Sequence, residues 1–332
     1  MPSLPKPVDA FLWTTCAILI GATVVAGFAR THWICDTAAN LRVQGCLAIL
    51  GLLIIAAAFR RWRVVGSAGF LLLCNLWCMN LGSFSGQQQP DTINAVRIAS
   101  SNVLAANNRH ESILADLQNT NADVIAVIEL TPALATRLQD ALKESHPHQT
   151  FQARAGDNFG IGILSRWPIR SVQTLQWSGT PASLEVEFDH FRMIATHPIP
   201  PIGQANFQNR NRQLQKLAEH IRDSLQTDRA TVLVGDLNLT PWNANFTDLL
   251  ATAELKRAAS VCEILPTWYA RPLFPLGLLI DHVLISKDLT YHDYQIGEDC
   301  GSDHRSVAVT ISPVDQPSMA HSPKEASIPK AQ

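Results

Sequence analysis

Long apolar runs fill the first quarter of the chain, whereas the remainder alternates short apolar runs with amphipathic stretches. Three segments, residues 11–29, 43–59 and 64–81, contain no charged side chain. Each is about seventeen to nineteen residues long, the length that crosses a hydrocarbon core. The pattern predicts a membrane anchor over residues 1–82 with three transmembrane helices. Buried core helices are the alternative for all three segments, and a cleaved signal peptide is an alternative for the first.

Loop charges predict how this anchor is oriented. The loop from Arg60 to Arg63 carries three arginines between the second and third segments, and such loops stay on the cytoplasmic side. Lys6 then also lies inside, and Arg30 and Arg42 are two basic residues on the outer side that do not follow the rule. This topology predicts a multi-pass protein of the cell (inner) membrane, with everything after the third segment on the extracytoplasmic side.

A polar, turn-rich linker over residues 83–92 leads into a predicted domain over residues 93–313, and a disordered tail follows over residues 314–332. The domain opens with apolar runs at 95–99 and 124–128 that flank a helix capped by Asn108, which is the pattern of a βαβ unit. Further elements predicted in chain order are a helix beginning at Thr131-Pro132, strands over 159–165, 169–176, 183–188 and 192–196, a helix over 209–225, a helix beginning at Thr240-Pro241, and strands over 282–286 and 306–312. The strand over 183–188 alternates strictly, which predicts one face in water.

The stretch from Thr231 to Asn238 combines an apolar run with Gly-Asp-Leu-Asn. The run predicts a strand that is buried on both faces. On an extended chain the side chains of Asp236 and Asn238 point the same way, so both could meet one phosphate or ion. An Asx turn that closes the strand is the structural alternative.

Composition narrows the possible chemistry only slightly. The formal net charge of −2 provides no polybasic surface for nucleic acid. Of the seven cysteines, only Cys262 and Cys300 lie in the predicted domain, and no Cys or His spacing typical of zinc occurs. If the domain is extracytoplasmic, these two cysteines could form a disulfide that joins the segments on either side of Asp281. Two separately buried thiols are the alternative.

Polar residues recur at the ends of the predicted strands, where an α/β sheet collects its ligands; they are Asn102, Glu129, His197, Asp236, Asn238, Asp281, Asp303 and His304. Carboxylate and amide oxygens without cysteine favour a hard divalent cation over zinc. A histidine oriented by a carboxylate could deprotonate water. Metal, base and amide together indicate phosphoester hydrolysis.

With these motifs the chain resembles the endonuclease/exonuclease/phosphatase superfamily, the DNase I-like phosphodiesterases. The resemblance covers roughly residues 95–312 and rests on Ser101-Asn102-Val103, Glu129, Thr196-His197, Gly235-Asp236-Leu237-Asn238, Ile280-Asp281-His282-Val283 and Ser302-Asp303-His304. It implies an α/β fold, a four-layer sandwich of two packed mixed sheets flanked by helices. It also implies Mg²⁺ or Mn²⁺ as cofactor.

The resemblance implies a role for each of these residues. Metal ligands are Glu129, with Asn102 beside it, and Asp303. Asp236 and Asn238 orient the attacking water and contact the phosphate, His304 acts as base or stabilises the phosphorane, and Asp281 orients His304. His197 lies near the leaving group, and Arg212 helps to hold phosphate. Several DNA-repair members carry an aspartate where this chain has Leu104, which argues against an abasic-site nuclease.

The sequence thus predicts a membrane-anchored, metal-dependent phosphoester hydrolase. Extracellular nucleic acid, a phospholipid headgroup and a soluble phosphoester all remain open as substrates, because specificity lies in loops. The alternative is a non-catalytic domain that binds a phospholipid headgroup or a partner protein at the membrane surface. A transporter fragment is disfavoured, because the three segments contain no charged residue for an ion path.

Overall fold

The computed structural model describes residues 6–79, 95–225, 229–270 and 277–313. The predicted linker over 83–92 and tail over 314–332 lie outside these ranges. The N-terminal part contains four helices, α1 Lys6–Ala26, α2 Trp33–Asn40, α3 Arg42–Ala58 and α4 Trp62–Cys78. Helices α1, α3 and α4 pack on one another through an apolar cluster that includes Leu12, Ile49 and Leu71. The short helix α2 was not predicted, since its sequence contains an aspartate and an asparagine.

By length and composition, α1 is the one helix among the described residues that is long and apolar enough to cross a bilayer. Helices α2 and α3 add a second span only if this pair, bent by 62°, counts as one. Helices α3 and α4 have 17 residues each, about 25 Å of helix against a hydrocarbon core of about 30 Å. Of the three predicted transmembrane helices, the first is therefore supported, by α1, and the other two are not supported by this criterion. A signal sequence near the N-terminus passes the same test.

Two six-stranded mixed sheets form the centre of the following domain. The first has the order β13-β14-β1-β2-β4-β3, with β1 Val96–Asn102, β2 Val124–Ile128, β3 His148–Gln152, β4 Ile161–Ser165, β13 Leu289–Ile296 and β14 Val307–Pro313. The second has the order β5-β6-β7-β8-β12-β9, with β5 Ser171–Leu175, β6 Ser183–Glu187, β7 Phe191–Thr196, β8 Ala230–Asp236, β9 Leu255–Arg257 and β12 Asp281–Ser286. Strands β10 Trp268–Tyr269 and β11 Gly277–Leu278 form a separate small pair.

The sheets pack face to face, and helices cover their outer faces. Apolar residues of both sheets, such as Ile98, Met193 and Val232, form the core between them. Helices α5 His110–Asn119 and α6 Pro132–Leu142 cover the first sheet, and α7 Gln204–Leu225 and α8 Ala244–Ala253 cover the second. The domain is therefore a four-layer α/β sandwich, as the resemblance to the family implied.

Several local predictions were wrong. Strand β3 was missed because its sequence is polar. Strand β6 does not face water on one side: Glu185 is 5% exposed, and its carboxylate lies 2.7 Å from His220 Nε2 on α7. The cap of α5 is Arg109 and not Asn108, and α8 begins three residues after Pro241 with Asn243 as its cap. Thr131 caps α6, and its hydroxyl accepts a hydrogen bond from Leu134 N, as predicted.

The N-terminal helices pack directly against the sandwich through buried polar groups. Asn40 on α2 accepts hydrogen bonds from Thr240 and from the Asn243 side chain, and its carbonyl accepts one from the Trp242 indole. Asp36, which is fully buried, pairs with Arg210 on α7 at 2.7 Å. Arg210 also donates to the carbonyl of Asn238, at 2.9 Å. Helix α2 is therefore held against the end of β8.

We expect Asp36→Ala to destabilise the fold by roughly 3 to 5 kcal/mol, because it leaves the guanidinium of Arg210 buried and unpaired. The measurement is the urea unfolding of the detergent-solubilised chain, followed by tryptophan fluorescence. Adding Arg210→Met to Asp36→Ala should recover a large part of the loss, since a buried ion pair is replaced by apolar groups.

The matched control is Asp248→Ala. It removes the ion pair with Arg30, which joins the same two parts of the chain but leaves both side chains about half exposed. An exposed pair of this kind contributes less than about 1 kcal/mol. Equal losses for the exposed and the buried pair would contradict this account of how α2 is held.

Candidate active site

Polar residues of both sheets meet at one edge of the sandwich. Strands β1, β2, β7 and β8 end there, and β4, β12 and β14 begin there, because the latter are antiparallel to their neighbours. The pairing of Asp281 with Asp236 places the first residue of β12 opposite the last residue of β8. The structure brings together seven predicted side chains that are connected by short contacts or line one cavity: Asn102, Glu129, His197, Asp236, Asp281, Asp303 and His304.

Asp236 ends β8, and the chain turns immediately after it. Its Oδ1 accepts a hydrogen bond from Asn238 N at 2.9 Å, which is the Asx turn that was the structural alternative. Asn238 adopts a left-handed backbone conformation with φ 51°, and its side-chain Nδ2 donates a hydrogen bond to the carbonyl of Pro198 at 3.0 Å. The two side chains therefore do not lie parallel on an extended strand. Both nevertheless line the same cavity.

Asn102 lies at the centre of the cluster. Its amide nitrogen is 3.2 Å from Glu129 Oε1, 3.2 Å from Asp236 Oδ2 and 3.4 Å from His304 Nε2. Glu129 has a positive φ of 63°, a strained conformation for a residue with a side chain. Its Oε2 accepts a hydrogen bond from Ala105 N at 2.9 Å. This left-handed backbone conformation and the hydrogen bond from Ala105 N place the Glu129 carboxylate in the cluster, where Asn102 contacts it.

His304 and Asp281 form a buried pair, with His304 Nδ1 2.8 Å from Asp281 Oδ2. Burial disfavours the imidazolium, but the charge of Asp281, its hydrogen bond and the charge of Asp236 outweigh burial and raise the pKa of His304 to about 10. The pair therefore carries a proton on the imidazole near neutral pH. His304 Nε2 lies 3.7 Å from Asp236 Oδ2 and faces the cavity.

His197 approaches Asp236 from the other side. Its Nε2 lies 3.4 Å from Asp236 Oδ2 and 4.0 Å from Glu129 Oε1. Burial opposes protonation of His197, but its hydrogen bond with Asp236 and the nearby carboxylates raise its pKa. Burial also opposes ionisation of Asp236, yet His197 and His304 lower the pKa of this carboxyl group. Asp236 is thus an ionised carboxylate between two histidines.

The oxygen donors at this edge fit a hard divalent cation such as Mg²⁺ or Mn²⁺. Asp303 Oδ2 accepts a hydrogen bond from the Trp268 indole at 2.9 Å, while its buried Oδ1 has no hydrogen-bond partner among the described residues. Asp236, Asp281 and His304 also lie close enough to share an ion, with ligand atoms within 4.8 Å of one another. Within that group, however, Asp281 Oδ2 already contacts His304 Nδ1 and Asp236 Oδ2 lies between the two histidines, which leaves Glu129 and Asp303 as the other carboxylates that line the cavity.

Arg212 is not brought to this edge. Its guanidinium is exposed on α7 and contacts the carbonyl of Ser178 at 3.4 Å and Asn209 Oδ1 at 3.3 Å. The buried arginine of that helix turn is Arg210, which faces α2. The geometry therefore offers no support for a phosphate-binding role of Arg212.

Two residues that the sequence did not single out support the site. Asn158 donates to Glu129 Oε1 at 3.3 Å, and its carbonyl contacts His197 Nδ1 at 3.1 Å. The hydroxyl of Thr267 accepts a hydrogen bond from Asp281 N at 3.0 Å. Asn158 lies shortly before β4, which runs antiparallel to β2 and so begins beside Glu129 at the end of β2. A polar residue just before such a strand is the sequence signal that could have identified Asn158.

The structure favours the alternative of two separate thiols over a disulfide: Cys262 is an exposed free thiol and Cys300 a buried free thiol. Cys300 packs in the apolar cluster that joins the first sheet to α5 and α6. Cys262 follows β9, which is an edge strand of the other sheet. The two cysteines therefore belong to different sheets of the sandwich.

The carboxylates and histidines open into a cavity of about 630 Å³. Helices α2 and α3 line part of it, through Thr37, Asn40, Leu41 and Gln44. A second cavity of about 660 Å³ lies at the opposite end of the strands, between Trp167, Phe191 and Ile311, away from the cluster. The site described here is therefore the first cavity.

Comparison with known proteins agrees with this architecture. The model of the endonuclease/exonuclease/phosphatase family matches residues 80–304. The 3′ phosphatase NExo from Neisseria, solved with a product DNA hairpin, superposes with a TM-score of 0.55 at 18% identity, over 64% of this chain and 98% of that one. An endonuclease/exonuclease/phosphatase from Beutenbergia cavernae gives 0.52 at 19% identity, over 66% and 72% of the two chains.

D. rerio TDP2, solved with a single-strand DNA product, gives a TM-score of 0.53 at 18% identity, over 66% of this chain and 99% of that one. No curated protein matches the chain significantly. At these identities the solved structures establish the shared fold alone.

Proposed function

The chain belongs to the endonuclease/exonuclease/phosphatase family, and from this premise we propose that it is a membrane-anchored, divalent-metal-dependent phosphoester hydrolase. The observation that carries the proposal is the buried contact of Asp236 with His304 and His197, at 3.7 and 3.4 Å, with Asp281 behind His304. A carboxylate between two histidines at the wall of a cavity provides both an acceptor and donors of protons.

Proton transfers in the proposed reaction start from Asp236. This carboxylate takes a proton from the attacking water, whose oxygen forms a bond to phosphorus while the ester P–O bond breaks. The imidazolium of His304 faces the developing negative charge on the phosphoryl oxygens and stabilises it. The departing oxygen takes a proton from His197 or from solvent. Asp281 maintains the charge and the orientation of His304.

Glu129 and Asp303 are the residues that would hold Mg²⁺ or Mn²⁺. Asn102 lies beside Glu129 but faces it with the amide nitrogen, while its oxygen accepts a hydrogen bond from Leu104 N, so it would become a ligand only with the amide turned. When bound, the cation neutralises charge on the phosphoryl group and lowers the pKa of nearby water. Asn158 supports this set by fixing Glu129 Oε1. Asn238 lines the cavity beside Asp236 and would donate from its side-chain amide nitrogen to phosphate only after rotation away from the carbonyl of Pro198.

A direct test offers the purified full chain, with Mg²⁺, an oligonucleotide, a phospholipid and a soluble phosphodiester such as bis(4-nitrophenyl) phosphate. We expect hydrolysis of at least one class, and a loss of at least about a hundredfold in Asp236→Asn, which keeps the shape of the side chain but removes its charge. Equal rates for wild type and variant would show a contaminating activity and contradict the proposal.

Membrane anchoring is supported by the outer surface of the α1–α3–α4 bundle. Large apolar side chains are exposed on each of its helices, among them Ile18 at 66%, Leu47 at 61% and Phe70 at 71%. An apolar surface of this extent is typical of contact with a membrane or partner. We propose that this bundle inserts into the bilayer, with helices α3 and α4 accommodated by local thinning or by their flanking residues.

The topology prediction gains support from two ion pairs. Arg61, in the arginine-rich loop, lies 3.1 Å from Asp9 near the start of α1, whereas Arg30 at the far end of α1 pairs with Asp248 in the sandwich. The arginine loop and the sandwich therefore lie at opposite ends of the bundle.

If the arginine-rich loop lies on the cytoplasmic side of the membrane, the sandwich lies on the extracytoplasmic side. Alkaline phosphatase fused after Pro313 should be active in a bacterial host, because it folds only outside the cytoplasm. A fusion in which the loop arginines 60, 61 and 63 are changed to asparagine should lose this orientation in part. Activity only from a cytoplasmic reporter at the same position would reverse the topology.

A further inference from the structure

The cavity beside the catalytic carboxylates has a wall that the N-terminal helices provide. Leu41 and Gln44 line it from the junction of α2 and α3, opposite Glu129, Asp236 and His304. Gln44 also donates a hydrogen bond to the carbonyl of Gly277, next to β11. The anchor is therefore part of the substrate-binding cavity and not only a tether.

Apart from the catalytic residues, this cavity is mostly apolar; its apolar wall comprises Leu41, Leu104, Pro200, Pro201, Ile202, Trp268, Leu278 and Ile280. None of the residues that line it, all of which lie in the described ranges, is lysine or arginine. Proteins that bind a polynucleotide neutralise its phosphates with such side chains. The described part of the lining therefore offers no cationic side chain to a polynucleotide backbone and suits a phosphoester that carries an apolar group.

The apolar wall continues to the surface on the side of the anchor. Ile202 is 74% exposed and Leu41 is 42% exposed, although both line the cavity. The loop of Ile202 is held at the start of α2, where Gln204 Oε1 accepts a hydrogen bond from Trp33 N at 3.3 Å. The mouth of the cavity thus lies where the helical bundle meets the sandwich, and on the proposed anchoring this is the bilayer surface.

We propose that the substrate is a phosphoester of a membrane lipid. Its phosphate lies at Asp236 and His304, and its apolar chains lie along Leu41 and Ile202 and continue into the bilayer. Burial of the chains in this wall and a short path from the bilayer both favour a lipid over a water-soluble ester. This inference rests on the proposed hydrolase function and on the membrane anchoring.

The test compares four kinds of probe with the full chain in mixed micelles and Mg²⁺. These are dioleoyl lipids with a phosphomonoester or phosphodiester headgroup, the same headgroups on dihexanoyl chains, bis(4-nitrophenyl) phosphate, and an oligonucleotide. We expect kcat/KM to be at least about tenfold higher for one long-chain lipid than for its short-chain counterpart, because the additional methylene groups are buried. The Ile202→Ser variant should lower this ratio at least about fivefold.

Val172→Ser is the matched control, since Val172 is an exposed apolar residue, at 49%, that does not line the cavity; it should not change the ratio. Hydrolysis of bis(4-nitrophenyl) phosphate without preference for long chains would overturn the lipid assignment and leave the hydrolase proposal standing. A higher kcat/KM for an oligonucleotide than for either lipid would also overturn it. Hydrolysis of none of these probes would overturn the hydrolase proposal itself.

Discussion

We expect removal of divalent cations to abolish phosphoester hydrolysis by this protein, and addition of Mg²⁺ or Mn²⁺ to restore it. This result is expected because Glu129 and Asp303 are oxygen donors at the catalytic edge and the buried Asp303 Oδ1 has no hydrogen-bond partner among the described residues. Such oxygens bind hard cations. The measurement is the initial rate after dialysis against EDTA, followed by titration with each cation.

The same titration identifies the ligands. Glu129→Gln should raise the Mg²⁺ concentration needed for half-maximal rate at least about tenfold, because it removes a charged oxygen donor. Glu111→Gln is the matched control, since the carboxylate of Glu111 is exposed and pairs with Arg137 on the surface. Full activity after exhaustive chelation would contradict metal dependence, and an unchanged titration in Glu129→Gln would remove Glu129 from the metal site.

Replacing His304 by alanine should lower turnover at least about a hundredfold, since a positioned proton donor or acceptor contributes on the order of a hundredfold to ten-thousandfold. Its imidazolium is held by Asp281 at 2.8 Å and faces the place where charge develops. Asp281→Asn should cost less than His304→Ala, because the histidine remains in place but loses its charged partner.

The control is His190→Ala. His190 is an exposed histidine that lines the cavity at the opposite end of the strands, so its loss should leave turnover within about twofold. Circular dichroism and the urea midpoint establish that the His304 variant is folded. Unchanged turnover in a folded His304→Ala protein would make this histidine structural and would contradict its assigned role.

Most strands and helices of the sandwich were predictable because buried strands and amphipathic helices leave distinct periodic patterns, whereas their four-layer arrangement was implied by the resemblance to the family. Strands β2 and β8 are continuous apolar runs, and both were placed nearly to the residue. Strand β3 has the sequence His-Gln-Thr-Phe-Gln, half-buried throughout, and it forms because β4 offers a partner edge. Such a strand depends on a tertiary contact that no local pattern records.

The candidate site was predictable where its residues follow strands and match motifs. Asn158 and Thr267 were not predicted because each lies in a loop, before β4 and before β10 respectively, and neither belongs to a family motif. A phosphate-binding role for Arg212 was implied only by the resemblance to the family, and no local pattern shows which side chain of α7 faces the site, because that depends on how the helix packs. The contact of α2 with the sandwich could not be predicted from the sequence either, because Asp36 and Arg210 are 174 residues apart.

The account depends most on attack of water at phosphorus in the Asp236 cluster. The most direct measurement is hydrolysis of bis(4-nitrophenyl) phosphate in ¹⁸O-labelled water with Mg²⁺, with ³¹P NMR of the phosphorus-containing product. The account predicts one ¹⁸O atom in that product for each ester bond cleaved, at a rate at least about a hundredfold above that of Asp236→Asn. Label in the nitrophenol, or a rate equal to that of the variant, would contradict it.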